Sequence, residues 1–233
     1  MAVPTHQRSR NPGLVDPNLI PGFIATTVSG LTLWLKADAI TGVANNAALS
    51  SWPDSSGVGN TCIQGTAGLK PIYKTSQING LPIVAFDGSD DGMLTSLSVS
   101  LPFTLIAVYK PTSISAGSNR RLLSGSNNWL LGPYAANHQC YNGAFINAGA
   151  ATSGTTVVLA VTEQTGLTSL YLNNGTAVTN TNSGVPGTLG LGASGAFTEP
   201  AGSDIAEVMA YNKVLTSTEM LTVYRYLKSK YGL

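Results

Sequence analysis

A chain of 233 residues is long enough to bury one sizeable core, and all-β sandwiches of this length commonly form one domain. Apolar residues make up 43% of it and charged residues only 10%, well below the roughly 25% of ordinary soluble domains. A formal net charge of +1 supplies no broad field to gather nucleic acid or an anionic membrane, which excludes a generic electrostatic binder of either, and such weak charge suits an ordered assembly.

Residues 1–29 differ from the rest: Pro4, Pro12, Pro17 and Pro21 punctuate them, Arg8 and Arg10 are their cations, and neither period 2 nor period 3.6 is present. Proline removes donors and fixes φ, so this stretch is expected to be an extended arm with no core of its own. It would gain order on docking, with Arg8 and Arg10 meeting an acidic groove and Leu14, Leu19, Ile20 and Phe23 as apolar anchors. Wrapping on its own domain is the plainer alternative. The beginning of the chain has no apolar stretch of signal-peptide type, and no run of 18 apolar residues occurs, so neither export by that route nor a membrane span is expected.

From residue 30 to 233 short apolar alternations separated by turn residues predict one all-β domain. Leu31, Leu33 and Leu35 alternate with Thr32, Trp34 and Lys36. Further strands are predicted at 82–86, 103–109, 121–123, 155–161, 167–172, 189–191 and 205–211. Asn174-Gly175, between Leu170-Tyr171-Leu172 and Ala177-Val178, predicts a type I′ hairpin turn, because both central residues of that turn need positive φ. Cys62 and Cys140 lack metal-site spacing, and a single long-range bridge between them stays open. One helix is predicted, over 216–231: Thr216 and Glu219 form a capping box, Met220, Val223, Tyr224, Leu227 and Tyr231 recur on one face, and Lys228 and Lys230 complement the carbonyl end before Gly232.

Several of these segments together resemble the LamG-like branch of the concanavalin A-like lectin/glucanase superfamily. They are Leu33-Trp34-Leu35-Lys36-Ala37-Asp38, Trp52-Pro53-Asp54-Ser55-Ser56-Gly57, the run Asn79-Gly80-Leu81-Pro82-Ile83-Val84-Ala85-Phe86-Asp87-Gly88, then Leu170-Tyr171-Leu172-Asn173-Asn174-Gly175 and Ile205-Ala206-Glu207-Val208-Met209-Ala210-Tyr211-Asn212 leading into the terminal helix. The resemblance covers about residues 31–233 and is collinear. It implies a two-sheet antiparallel jelly-roll sandwich with an extended N-terminal arm and one C-terminal helix, and rim loops that in some relatives bind glycans and Ca²⁺. Fold does not settle function, so the sites are argued separately.

Glycans are gripped by exposed aromatic rings beside amides and carboxylates that bond the hydroxyls. Trp52 with Asp54, and Asn128, Trp129, Tyr134, Asn137 and Tyr141 in a stretch taken as loop, have that composition, although Trp129, followed by Leu130-Leu131, would serve equally as core. Asp87, Asp90 and Asp91 crowd one turn, which is either a Ca²⁺ site or an acidic turn without metal; no other cofactor is expected. Catalysis is not expected. The Glu-x-Asp-x-x-Glu strand of the glucanase branch does not occur, and of Glu163, Glu199, Glu207 and Glu219 the last is committed to capping, while Glu207 is placed with Ile205, Met209 and Tyr211, opposite Asp204. No Gly-x-Ser-x-Gly elbow is present, His6 falls in the arm and His138 in a loop, and Gly190-x-Gly192-x-x-Gly195 lacks a following helix.

These readings converge on a non-enzymatic virion protein of a tailed bacteriophage, a capsid decoration or fibre-type protein on the virion surface. Its expected partners are other virion proteins such as the major capsid protein, further copies of itself, and a host-surface glycan. The alternatives are a free bacterial lectin-like adhesion module and, third, a glycoside hydrolase.

Overall fold

The computed structural model describes residues 27–114 and 120–233. The arm residues Arg8, Arg10, Leu14, Leu19, Ile20 and Phe23 lie outside the described residues. The strands in chain order are β1 (Leu31–Lys36), β2 (Ala47–Ala48), β3 (Ser51–Trp52), β4 (Cys62–Ile63), β5 (Ile72–Ile78), β6 (Leu81–Phe86), β7 (Met93–Val99), β8 (Phe103–Pro111) and β9 (Leu123–Gly125). There follow β10 (Trp129–Tyr134), β11 (Asn137–Tyr141), β12 (Phe145–Ala150), β13 (Val157–Gln164), β14 (Leu167–Leu172), β15 (Val178–Asn180), β16 (Gly187–Leu191), β17 (Ser203–Tyr211) and the helix α1 (Ser217–Tyr231).

They form a two-sheet antiparallel jelly-roll sandwich. A nine-stranded sheet runs β15-β14-β13-β8-β17-β6-β5-β2, with β1 also paired to β17, and an eight-stranded sheet runs β12-β11-β10-β9-β16-β7-β4-β3. Alternation explains the layering, since every second side chain of a strand points to the same face. Leu33, Leu35, Trp52, Phe86, Leu105 and Trp129 meet between the sheets. The opposite face of the nine-stranded sheet, with Ile83, Ile106, Val108, Val158 and Met209, is covered by Met220, Val223, Leu227 and Tyr231 of α1. Its central strands β8 and β17 are therefore buried on both faces and read as nearly continuous apolar runs. Among the described residues no helix lies over the outer face of the eight-stranded sheet.

The helix starts as its capping box predicts. Thr216 Oγ1 accepts from Glu219 N at 3.3 Å, Glu219 Oε2 accepts from Thr216 N at 2.9 Å, and Gly232 closes the other end at φ 69°.

Two local expectations are corrected, and the open question of a disulfide is answered. In the β14–β15 hairpin the positive-φ pair is Asn173 and Asn174, closed by Gly175 N donating to Leu172 O at 2.9 Å, one residue earlier than Asn174-Gly175. The two-residue Asn-Gly turn falls instead at Asn79-Gly80, between Ile78 and its partner Leu81. In β17 the pairs Ile205–Tyr109 and Glu207–Val108 leave Ala206 as an extra residue. That bulge reverses the alternation, so Ile205 points between the sheets while Glu207 faces α1 with Met209, on the same face as Asp204. Cys62 and Cys140 are both buried and free; β4 and β11 are five strand intervals apart, about 24 Å at ordinary spacing, far beyond disulfide reach.

Candidate functional site

The stretch expected to be a loop around residues 127–142 is β10 and β11, which with β12 make the end of the eight-stranded sheet. A two-residue turn, Ala135-Ala136, joins β10 to β11, with Tyr134 opposite Asn137. Both alanines have positive φ, 46° and 61°, a region that costs a residue with a Cβ roughly 1–2 kcal/mol. Cys140, His138, Trp129 and Leu131 turn inward, which sends Tyr134, Asn137, Gln139 and Tyr141 to the outer face. His138 is thus a core residue, its Nδ1 2.6 Å from Tyr109 Oη, and burial pushes its pKa down to about 4, so the ring is neutral.

On that outer face three rings gather. Phe145, at the start of β12, stacks on Tyr134 with centroids 4.5 Å apart and planes 18° from parallel, and Tyr141 meets Phe145 at 4.8 Å. Phe145 is 46% exposed, a large apolar ring held open to water by two tyrosines that are themselves partly exposed. Beside the rings, Gln139 Nε2 donates to Tyr134 O at 3.2 Å and Asn137 Nδ2 to Ala135 O at 2.9 Å. Apolar rings flanked by amides are the chemistry of a surface that covers a sugar's apolar face and bonds its hydroxyls.

Tyr134, Asn137 and Tyr141 are therefore brought together as the sequence suggested, and the remaining four candidates are elsewhere. Trp52 and Trp129 are fully buried between the sheets, and neither indole reaches solvent. Asn128, itself exposed, accepts at Oδ1 from Nη2 of buried Arg121 at 2.8 Å, and Arg121 also pairs with Glu199. Asp54 is a loop staple. Its carboxylate accepts from Trp34 N, Ser56 N, Ser56 Oγ, Gly59 N and Asn60 N at 2.7–3.1 Å. Burial raises its pKa, and the donors of Ser56, Trp34 and Asn60 outweigh that and leave it below the usual carboxylate range.

Two residues essential to this end of the sandwich were missed. Phe145 lies in Gly-Ala-Phe-Ile-Asn-Ala-Gly-Ala, a run too poor in large residues to read as a strand. Glu163 could have been found, since it continues the inward alternation of Val157, Leu159 and Val161. Its carboxylate, 0% exposed between the sheets, accepts from Trp129 Nε1 at 2.6 Å, Gly184 N at 2.7 Å and Asn142 Nδ2 at 3.2 Å. Asn142 follows Tyr141 directly, so this buried carboxylate braces the hairpin that carries the rings.

The acidic turn is closed by its own hydrogen bonds. Asp87, Asp90 and Asp91 place carboxylate oxygens within 4.8 Å of one another. Asp87 Oδ1, however, accepts from the N–H of Ser89, Asp90 and Asp91, and Asp91 Oδ2 accepts from Asp87 N at 2.9 Å, so two of the oxygens close the turn itself, where Ca²⁺ asks for about six to eight oxygen ligands. Glu207 serves structure: it is 1% exposed beneath α1 and accepts from Trp34 Nε1 at 2.5 Å and, at 2.8 Å each, from Lys230 Nζ and Tyr231 Oη.

No family model and no curated protein matches this sequence. Solved structures share the fold. Domain 4 of AbnA, an extracellular GH43 arabinanase from Geobacillus stearothermophilus solved with arabinotriose, superposes with a TM-score of 0.60 at 16% identity, over 84% of this chain and 98% of that domain. Trypanosoma rangeli sialidase in complex with the inhibitor DANA gives 0.57 at 16% identity over 84% of this chain, and the binding domain of Paraclostridial Mosquitocidal Protein 1 gives 0.58 at 12% over 83%. The match spans 33% of the sialidase and 52% of the toxin chain. Together these define the class: a β-sandwich domain of the jelly-roll kind.

Proposed function

We propose that this chain is a non-catalytic glycan-binding domain whose ligand rests on the outer face of the eight-stranded sheet, over Tyr134, Tyr141 and Phe145. The observation that carries the reading is the stacked ring cluster, held open at a sheet end with amides beside it. The lack of chemistry is supported by where the glutamates go: Glu163 and Glu207 are buried and fully hydrogen-bonded, Glu199 pairs with Arg121, and Glu219 caps α1. The arabinanase domain was solved with arabinotriose, which agrees with such a role for this fold.

Immobilised full-length protein on a glycan array tests it. Retention of at least one oligosaccharide is expected, reduced roughly three- to tenfold by Phe145→Ala, the range that a lost aromatic contact implies, with an unchanged melting temperature. Retention that ignores Phe145→Ala and Tyr134→Ala together, or release of reducing sugar by the protein, would reject the reading.

A second setting for the same domain is the surface of a tailed-phage virion. Its support is compositional: the proline-rich residues 1–29 with Arg8 and Arg10, and the sparse charge of the whole chain. Deleting residues 1–29 is then expected to abolish particle incorporation and leave glycan retention intact.

A further inference from the structure

The charge of this protein is distributed unequally between its layers. None of the eight strands of the ring-bearing sheet contains Asp, Glu, Lys or Arg, whereas the nine-stranded sheet carries Lys36, Lys74, Lys110, Glu163, Asp204 and Glu207. Away from the rings, the exposed outward positions are uncharged, hydroxyls such as Ser96, Ser98 and Thr188 and the apolar Ile63. Arg121, in the segment leading into β9, is buried and turned to Glu199, Asn128 and Trp129 O.

From this we infer that the ligand of the outer face is an uncharged glycan, and that the face discriminates against acidic sugars; the inference rests on the glycan-binding reading above. A sugar carboxylate leaving water must find a cation or several N–H donors, or its lost hydration goes uncompensated. This face offers no cation on its strands. Asn137 and Gln139 each donate one of two amide hydrogens to a backbone carbonyl, Ala135 O and Tyr134 O, which leaves each a neutral amide with one N–H and a carbonyl. Neutral amides match the donors and acceptors of sugar hydroxyls but do not balance the charge of a carboxylate as a cation would. The rings supply a contact that needs no charge at all.

The experiment is affinity electrophoresis of the full-length protein through gels containing a neutral polysaccharide, arabinan or a β-glucan, or an acidic one, polygalacturonate or polysialic acid. It is run at about 10 mM and about 150 mM salt, between which the screening length falls from about 30 Å to about 8 Å. Retardation by a neutral polymer is expected, equal at both salt concentrations, lost in Phe145→Ala, and without counterpart in the acidic gels. Stronger retardation by an acidic polymer, weakening with salt and lost in Phe145→Ala, would overturn the neutral assignment and leave the glycan-binding face standing. Retardation by none of the four would remove both, as would concentration-dependent self-association abolished by Phe145→Ser, which would make the rings a contact between copies of this chain.

Discussion

Asp91 shares its turn with two other carboxylates and is only 6% exposed. Burial, and then the charges of Asp87 and Asp90, raise its pKa from 3.8 to about 6, against the opposing hydrogen bond from Asp87 N. A carboxyl whose folded pKa lies above its unfolded one holds its proton in the folded state between about pH 4 and pH 6, so stability falls as pH rises through that window and stays lowered above it. Replacing Asp91 by Asn keeps an oxygen to accept from Asp87 N and removes the charge. Urea unfolding is expected to show Asp91→Asn more stable than the parent by on the order of 1–2 kcal/mol at pH 7, with the difference gone near pH 4. Equal stability at pH 7 would mean that the turn tolerates the charge. At this scale the sequence was a partial guide: Tyr134, Asn137 and Tyr141 were found because aromatic and amide residues alternate there, while Trp52 and Trp129 satisfied the same composition from inside the core. Composition does not say which face a side chain takes, and only the strand register does.

Strands and helix were legible wherever apolar residues alternate strongly or a cap is chemically distinct, as in β8, β14, β17 and α1. They were hidden where the backbone departs from the residue types that usually mark it. Ala135-Ala136 makes a left-handed turn with no Gly or Asn to announce it, so β10 and β11 passed for loop; the bulge at Ala206 reversed the faces of half of β17; and Asn173-Asn174 took the turn that Gly175 seemed to claim. Between elements, Glu163 is the brace that matters, tying β13 to the start of β10, the end of β11 and the loop at Gly184. Glu163→Ala would leave Trp129 Nε1 and Gly184 N without their acceptor, while Asn142 Nδ2 keeps Thr168 Oγ1, and a loss of roughly 2–4 kcal/mol is expected in chemical denaturation, accompanied by altered Trp129 fluorescence. Glu163→Gln retains shape and one acceptor and should lose less. If Glu163→Ala unfolds with parental stability, the brace is not needed.

For the whole molecule, the architecture was predictable and its asymmetry was not. Regular short strands and a single capped helix imply a sandwich with something packed on one side, and the nine-stranded sheet is indeed covered twice, by its partner sheet and by α1. What strand patterns alone did not reveal is that the sheet without α1 is also the one whose strands carry no charge, because the membership of each sheet depends on non-local pairing such as β16 with β7 and β9. Among the described residues no helix is long and apolar enough to cross a membrane.

The two cysteines are sealed in the layer between the sheets, where burial raises both thiol pKa values. Thiolate is the reactive form, so neither should meet a maleimide while the fold is intact. A cysteine introduced at exposed Asn147 would then be the sole native-state attachment point, a ready-made place for a fluorophore beside the ring cluster. Mass spectrometry should find one adduct on Asn147→Cys and none on the parent until denaturant is added; prompt labelling of the parent would show that the interior opens more readily than its packing implies.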